Sequence, residues 1–303
     1  MNYILQTNEV SKDFAGKLAV DHVSIKVKKG DIYGFIGENG AGKTTLMRMV
    51  CGLADPTGGE ITLFDSKDLV SQRYKVGCTI ENPALYPAMT AMENMETQRL
   101  LLGIKDKTVC AKLLDMAGLK GAGNKKAKNF SLGMKQRLMI ALALLGDPEF
   151  LVLDEPTNGL DPVGIKEVRN FLQRLNKERG ITILISSHIL GELEKMATRY
   201  GVISNGKMVD EFQADELSSR CGKNLVIYTD DVSRAKEIIK SMFDDIKIEQ
   251  TPEKSIHLKG HIEDAGCINK QLVKEGITVN ALIPEGDKLE DYFLKLMGGY
   301  DND

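Results

Sequence analysis

Apolar and polar positions alternate from His22 to Lys29 (HVSIKVKK), the period of a strand with one buried face, and Gly30-Asp31 ends the run as a turn. Ile32–Ile36 (IYGFI) is apolar throughout and enters a glycine-rich loop, which predicts a strand buried on both faces of a parallel sheet. From Thr44 the segment TTLMRMVCGL places its apolar residues at helical spacing, and Gly52 stops it. Pro56–Gly59 reads as a loop and Glu60–Phe64 as a strand. Between Thr90 and Gly123 the pattern turns helical. Thr90 followed by Glu93 has capping-box form, and a second helix is expected over Lys107–Ala117.

Ser131 opens another helix, which ends at Gly146-Asp147-Pro148. Phe150–Leu153 (FLVL) is a second buried strand, running into two acids. Val163–Glu178 is an amphipathic helix, Ile181–Ser186 (ITILIS) a third buried strand, and Leu190–Ala197 a short helix. Gly201–Ser204 and Lys207–Phe212 are strands about the turn Asn205-Gly206. The polar stretch 213–223 reads as a linker. Beyond it come a strand (Leu225–Thr229), a helix (Val232–Phe243), strands near Ile246–Glu249 and Ser255–Leu258, a helix (Asp264–Glu275) and a strand (Val279–Ile283). A last helix is expected over Leu289–Met297. The order βαββαβ fits a small ferredoxin-like sandwich.

A chain of 303 residues has room for about two domains. With 42% apolar and 27% charged residues, disordered, collagen-like and coiled-coil classes are excluded as descriptions of the whole. Forty basic against 43 acidic side chains give a net charge of −3, which argues against a protein held mainly to nucleic acid phosphates. Lys120, Lys125, Lys126 and Lys128 form a dense basic stretch, but without interleaved aromatics it reads as a solvated loop. The longest apolar run, Leu138–Leu145, is far shorter than the roughly 20 residues of a membrane span, and Met1–Val10 lacks signal-peptide character. Five scattered cysteines without a paired motif suit a thiol-reducing compartment. No nucleic-acid partner and no membrane span are expected, so a membrane role requires another subunit.

Gly37-Glu38-Asn39-Gly40-Ala41-Gly42-Lys43-Thr44 matches the phosphate loop G-x-x-x-x-G-K-[ST], between the strand and helix that its mechanism requires. Glycines let successive backbone N–H groups converge on phosphate oxygens, and the helix start adds its positive dipole end. Lys43 can reach the β- and γ-phosphates, and the Thr44 hydroxyl can ligate Mg²⁺. Phe150–Leu153 then projects Asp154 toward the metal, and Glu155 is placed to orient or deprotonate an attacking water.

Between these motifs stands Phe130-Ser131-Leu132-Gly133-Met134-Lys135-Gln136. Together with Asp154-Glu155-Pro156-Thr157, Gly159-Leu160-Asp161 and His188, the chain resembles the ATP-binding cassette (ABC) family over residues 1–212. The wording IYGFIGENGAGKTT, SLGMKQRL, LDEPTNGLDP and ISSHIL, with Glu81 and the ending Leu289–Phe293, is similar to the bacitracin-resistance and lantibiotic self-protection exporters. The resemblance implies an α/β P-loop NTPase core of ABC ATPase type with an antiparallel β subdomain and an inserted helical subdomain (about 86–146). This ATP-binding domain spans 1–212, followed by the linker 213–223 and a small α+β C-terminal domain, 224–303, whose element order fits a ferredoxin-like fold.

It also implies ATP and Mg²⁺ as ligands. Glu38, Asn39, Ala41, Thr45 and the loop glycines would bind nucleotide with Lys43 and Thr44; Ser131, Gly133 and Gln136 form the family's signature segment, where Leu132 and Met134 replace the usual glycine and glutamine. Two ATPase subunits would pair head-to-tail, each ATP between the phosphate loop of one and the Ser131 segment of the other. Asp161 would lie in the loop at the seam, and His188 would contact the γ-phosphate or the water. Phe14 stands where the family keeps an adenine-stacking aromatic; the competing reading is a strand residue packed in the core. Glu81 stands where most members have glutamine, which would add a carboxylate near Mg²⁺ and the lytic water, or else be an exposed strand-end acid. Transmembrane permease subunits would receive the power stroke, placing the chain at the cytoplasmic face of the cell membrane. The alternative is a soluble ABC-type ATPase or a nucleotide-sensing module with no transport role.

Overall fold

The computed structural model describes residues 3–80, 85–188, 190–216, 223–243, 246, 248–250, 255–259, 261–286 and 292–293. The chain divides into two units, Met1–Ala214 and Asp215–Asp303. Glu81, and the expected last helix apart from Tyr292 and Phe293, lie outside the described residues.

In the first unit β1 (Tyr3–Phe14) pairs antiparallel with β2 (Lys17–Val23) and β3 (Lys26–Lys28) and, after β4 (Ile32–Ile36) and α1 (Lys43–Cys51), with β5 (Gly58–Leu63). The single strand expected over His22–Lys29 is thus broken at Ser24-Ile25. Side chains of β1 take over the backbone pairing there. The Thr7 hydroxyl accepts Ile25 N–H at 2.9 Å and donates to the Val23 carbonyl at 3.0 Å, while Ser24 Oγ accepts Glu9 N–H at 2.9 Å. These bonds satisfy buried polar groups without a regular ladder.

A six-stranded sheet forms the centre, with α2 (Leu69–Arg73), β6 (Val76–Thr79) and β7 (Phe150–Leu153) followed by β8 (Thr182–Ser187), β9 (Arg199–Ser204) and β10 (Lys207–Gln213). Its order is β10-β9-β4-β8-β7-β6, parallel except for β10. Every residue of β4, β7 and β8 is buried, as their unbroken apolar runs predict. Helix α2, capped by Asp68, was not expected from the pattern; five residues are too few to show a period.

Between β6 and β7 lie α3 (Ala91–Leu101), α4 (Thr108–Met116) and α5 (Leu132–Ala143), packed on one another. The capping box of α3 is complete: Thr90 Oγ1 accepts Glu93 N–H, and the Glu93 carboxylate accepts Thr90 N–H. After α6 (Pro162–Arg179) and β8, α7 covers only Leu190–Leu193, half the helix expected to Ala197. The amides of Met196 and Ala197 both turn onto the Leu193 carbonyl, and Thr198 N–H then bonds Ile32 O, drawing the chain into β9 beside β4.

The second unit runs β11 (Lys223–Thr229), α8 (Val232–Met242), β12 (Ile248–Gln250), β13 (Ser255–Lys259), α9 (Ala265–Lys274) and β14 (Val279–Gly286). The antiparallel order β12-β13-β11-β14 is a split βαβ arrangement. Leu225, Ile227, Ile256 and Leu258 meet Ala235, Ile239, Ile268 and Leu272 of the two helices in its core. No helix among the described residues is long and apolar enough to cross a membrane.

Candidate nucleotide site

The carboxyl ends of β4, β8 and β7, neighbours in the parallel sheet, deliver Gly37–Gly42, His188 and Asp154-Glu155 to one edge, where open α/β sheets place ligands. The loop is wedged between two distant backbone segments. A Cβ at Gly37 would lie 2.4 Å from Ile203 O, and one at Gly42, where φ is +108°, 2.5 Å from Ala19 O. Glycine is required at both. The turn between β9 and β10 completes the brace, since Gly206 N–H bonds Ala41 O at 3.0 Å and Asp21 N–H bonds Gly206 O at 2.8 Å. Gly42 has no side chain to cap α1, so the first-turn N–H groups keep their capacity for an anion.

A cavity of about 150 Å³ opens over this loop, lined by Ala19, Glu38, Asn39, Gly40, Gly42, Lys43, Thr44, Thr45 and Glu155. The Lys43 side chain is buried, and its ammonium donates to Gly37 O at 2.5 Å and Glu38 O at 3.0 Å. It also stands 3.5 Å from Glu155 Oε1, within ion-pair reach. That Glu155 oxygen is buried and accepts no hydrogen bond. Its other oxygen, Oε2, lies 2.6 Å from His188 Nδ1. Glu155 has φ +48°, a left-handed conformation that costs a residue with a Cβ about 1–2 kcal/mol.

Asp154 is held at three points: its N–H by Thr79 O at 2.9 Å, Oδ2 by the Thr44 hydroxyl at 2.7 Å, and Oδ1 by the Ser186 hydroxyl at 2.6 Å. Two hard oxygens, Thr44 Oγ1 and Asp154 Oδ2, therefore face each other beside a phosphate loop, a donor set that fits Mg²⁺. No cluster of three or more metal-ligating His, Cys, Asp or Glu exists among the described residues.

The signature segment lies apart from this cavity. Ser131 is exposed, and its Oγ accepts Met134 N–H at 3.3 Å to cap α5; Asp161 Oδ1 accepts Gly164 N–H at 3.0 Å to cap α6. The two helix starts abut, because a Cβ at Gly133 would meet Gly164 Cα at 3.4 Å. Gln136 is half-buried along α5. None of Ser131, Gly133, Gln136 or Asp161 lines the cavity. Phe14 does not line it either. Its ring is half-exposed at the end of β1 under the Lys12 ammonium, 5.2 Å from the centroid, and so is not packed in the core.

Ala19, Ile203, Gly206 and Ser186 are not singled out for the site by sequence, although Ser186 lies in ISSHIL and Gly206 in a turn; they reach the loop or the acids only through strand adjacency. At the far end of α1, Cys51 shares a thiol–thiol hydrogen bond with the exposed Cys78 of β6. Accepting that bond lowers the Cys78 thiol to about 7, while Cys51, donating and buried, is pushed up.

Residues 20–158 match the family described as ABC transporter. The chain is 43% identical over 302 residues to the bacitracin transport ATP-binding protein BcrA of Bacillus licheniformis, covering 99% of both chains. It is 40% identical to the lantibiotic transport ATP-binding protein SrtF of Streptococcus pyogenes, over 70% of this chain and 92% of that one. Among solved structures, the dimeric post-hydrolysis state of the ATP-binding cassette MJ0796, bound to ADP and Pi, superposes with a TM-score of 0.62. The two are 26% identical, over 69% of this chain and 98% of that one. These relatives are transport subunits, against the alternative of a soluble module. A phosphate loop on β4, paired acids on β7 and a capped signature helix thus coincide with similarity along the full length: this chain belongs to the ABC transporter family, as a subunit that binds and hydrolyses ATP.

Proposed function

We propose that the chain powers export of a peptide antibiotic or a similar amphipathic substrate through separate permease subunits. The names of its relatives support that substrate class, since bacitracin transport and lantibiotic transport both concern peptide antibiotics. One observation carries the chemistry: Glu155, fixed by His188, lines the cavity with Lys43 and Thr44 and keeps one oxygen that accepts no hydrogen bond, 3.5 Å from the Lys43 ammonium.

That oxygen is the base that orients and deprotonates the attacking water, with the His188 Nδ1–H bond to Oε2 holding the carboxylate in place. Lys43 and the uncapped start of α1 bind the phosphates, and Gly37–Thr45 wraps them. Thr44 and Asp154 would hold Mg²⁺, which supplies neutralisation of charge on the β- and γ-oxygens. Phe14, half-exposed at the end of β1, stacks on adenine once nucleotide is bound. Ser131, Gly133, Gln136 and Asp161 serve the nucleotide of a second ATPase subunit, because they are displayed away from this chain's own cavity.

In this arrangement 1–212 is the ATP-binding domain, with its helical part at about 86–146. The stretch 213–223 links it to the accessory domain 224–303, which supports the dimer. The assembly works at the cytoplasmic face of the cell membrane. The test is a strain lacking the chain, challenged with peptide antibiotics and complemented by the wild type or by Glu155→Gln. Sensitivity that the wild type reverses is expected. The variant should leave sensitivity in place and cut ATP hydrolysis about 100-fold or more. Unchanged antibiotic tolerance would refute the substrate class, and wild-type phosphate release from Glu155→Gln would refute the assignment of the base.

A further inference from the structure

The bond that locks the two acids comes from a strand whose sequence shows no motif for it. Ser186 is wholly buried in β8, one residue beyond the Leu153–Ile185 pairing with β7, so it stands beside the acids where β7 ends. Its hydroxyl donates to Asp154 Oδ1 at 2.6 Å and accepts Glu155 N–H at 2.8 Å. A hydroxyl has one proton to give, and this one goes to the carboxylate.

We propose that Ser186 is a positioning residue for ATP hydrolysis, one hydroxyl setting both the carboxylate plane of Asp154 and the backbone turn of Glu155. The inference rests on the reading of Asp154 as metal-holding and Glu155 as the base. The last torsion of an aspartate is broad, so its carboxylate rotates unless something pins it. With Oδ1 pinned by Ser186, Oδ2 is the oxygen turned to Thr44, 2.7 Å away. Glu155 in turn occupies a sparsely populated backbone region, and its N–H is tied to the same hydroxyl. Besides that tie the turn is held by Asn158 N–H on Glu155 O at 3.1 Å and by His188 on the carboxylate; losing the tie loosens the backbone and lets the carboxylate drift from its place beside His188. Alanine at 186 removes both ties together, leaving a part-buried carboxylate oxygen and a part-buried amide without that partner.

The experiment uses the full chain. Ser186→Ala should lower kcat for ATP hydrolysis about 10- to 100-fold, the usual effect of removing a partner behind a metal ligand. KM for ATP should stay within about threefold, since the phosphate loop is untouched. The Mg²⁺ concentration that half-saturates nucleotide binding should rise. Without nucleotide or metal, amide hydrogen exchange of a peptide spanning Glu155 should quicken. Ser186→Thr keeps the hydroxyl and should restore kcat and the exchange rate. Wild-type kcat and Mg²⁺ dependence in Ser186→Ala would overturn the proposal, as would equal impairment in Ser186→Thr. If Ser186→Ala does not fold, Ser186→Cys, with a weak donor of similar size, replaces it; the same loss of kcat is expected and wild-type kcat overturns. Glu155→Gln assayed in parallel separates the two ideas. Full activity there removes the base assignment itself, whereas lost activity beside a normal Ser186→Ala removes only the role of Ser186.

Discussion

Two helix N-termini carry the chemistry of this chain, and they are finished in opposite ways. Helix α1 starts at Gly42, which has no side chain, so its first-turn amides and the Lys43 ammonium belong to a cavity built by the same chain. Helix α5 starts at Ser131, whose hydroxyl covers one of its own amides with a long 3.3 Å bond, and it does not line the cavity over the phosphate loop. The first is a complete anion site. The second presents an exposed, hydroxyl-capped helix start, as its proposed place against the nucleotide of a second subunit requires.

Mutations at the two starts should therefore separate affinity from turnover. The largest effect belongs to Gly42→Ala, where the new Cβ meets Ala19 O at 2.5 Å in a left-handed backbone. It should cost more than about 1 kcal/mol of stability and at least about tenfold in ATP affinity, by thermal melting and fluorescent-nucleotide titration. Gly40→Ala, at φ +84° but with nothing within 4 Å of the new Cβ, carries the backbone strain without the clash and should lose less. Ser131→Ala comes next: turnover down about tenfold, with ATP affinity of the single chain unchanged and roughly 1 kcal/mol lost from the capped helix. Equal loss of affinity at both starts would break the contrast. Phe14→Ala should weaken ATP binding by about 0.5–1.5 kcal/mol with the melting temperature unmoved. The smallest effect lies at the other end of α1. Alkylation of Cys78 should rise through about pH 7, because a lowered thiol forms its reactive thiolate earlier as pH increases. Removing the donor with Cys51→Ala should move that midpoint up, as mass spectrometry of labelled peptides would show.

Local features of this architecture are legible from residue order. The buried strands β4, β7 and β8, the Thr90 and Ser131 caps and the phosphate loop each depend on neighbours within a few positions. What residue order does not show is adjacency. That β8 lies between β4 and β7 is why Ser186 reaches Asp154 and why His188 meets Glu155, and no spacing along the chain encodes it. The break after Val23 was hidden for the same reason: Thr7, far upstream, supplies the bonds that make it possible. Helix α7 fell short because β9, pairing with β4, claims the backbone from Thr198 onward. Glu81 is legible as a departure from the family pattern, and its geometry lies beyond the described residues.

The brace behind the phosphate loop sets a limit on how far the protein can be trimmed. The family match ends at residue 158, yet the wall against which Gly37 rests is Ile203, and Gly206 closes on Ala41. A polypeptide cut after His188 would retain Lys43, Asp154, Glu155, Ser186 and His188, but Gly37 would lean on solvent. The smallest fragment that still grips a triphosphate must therefore run through the β9–β10 turn. Its loss of grip on shortening would come from a missing backbone, with no reacting group removed.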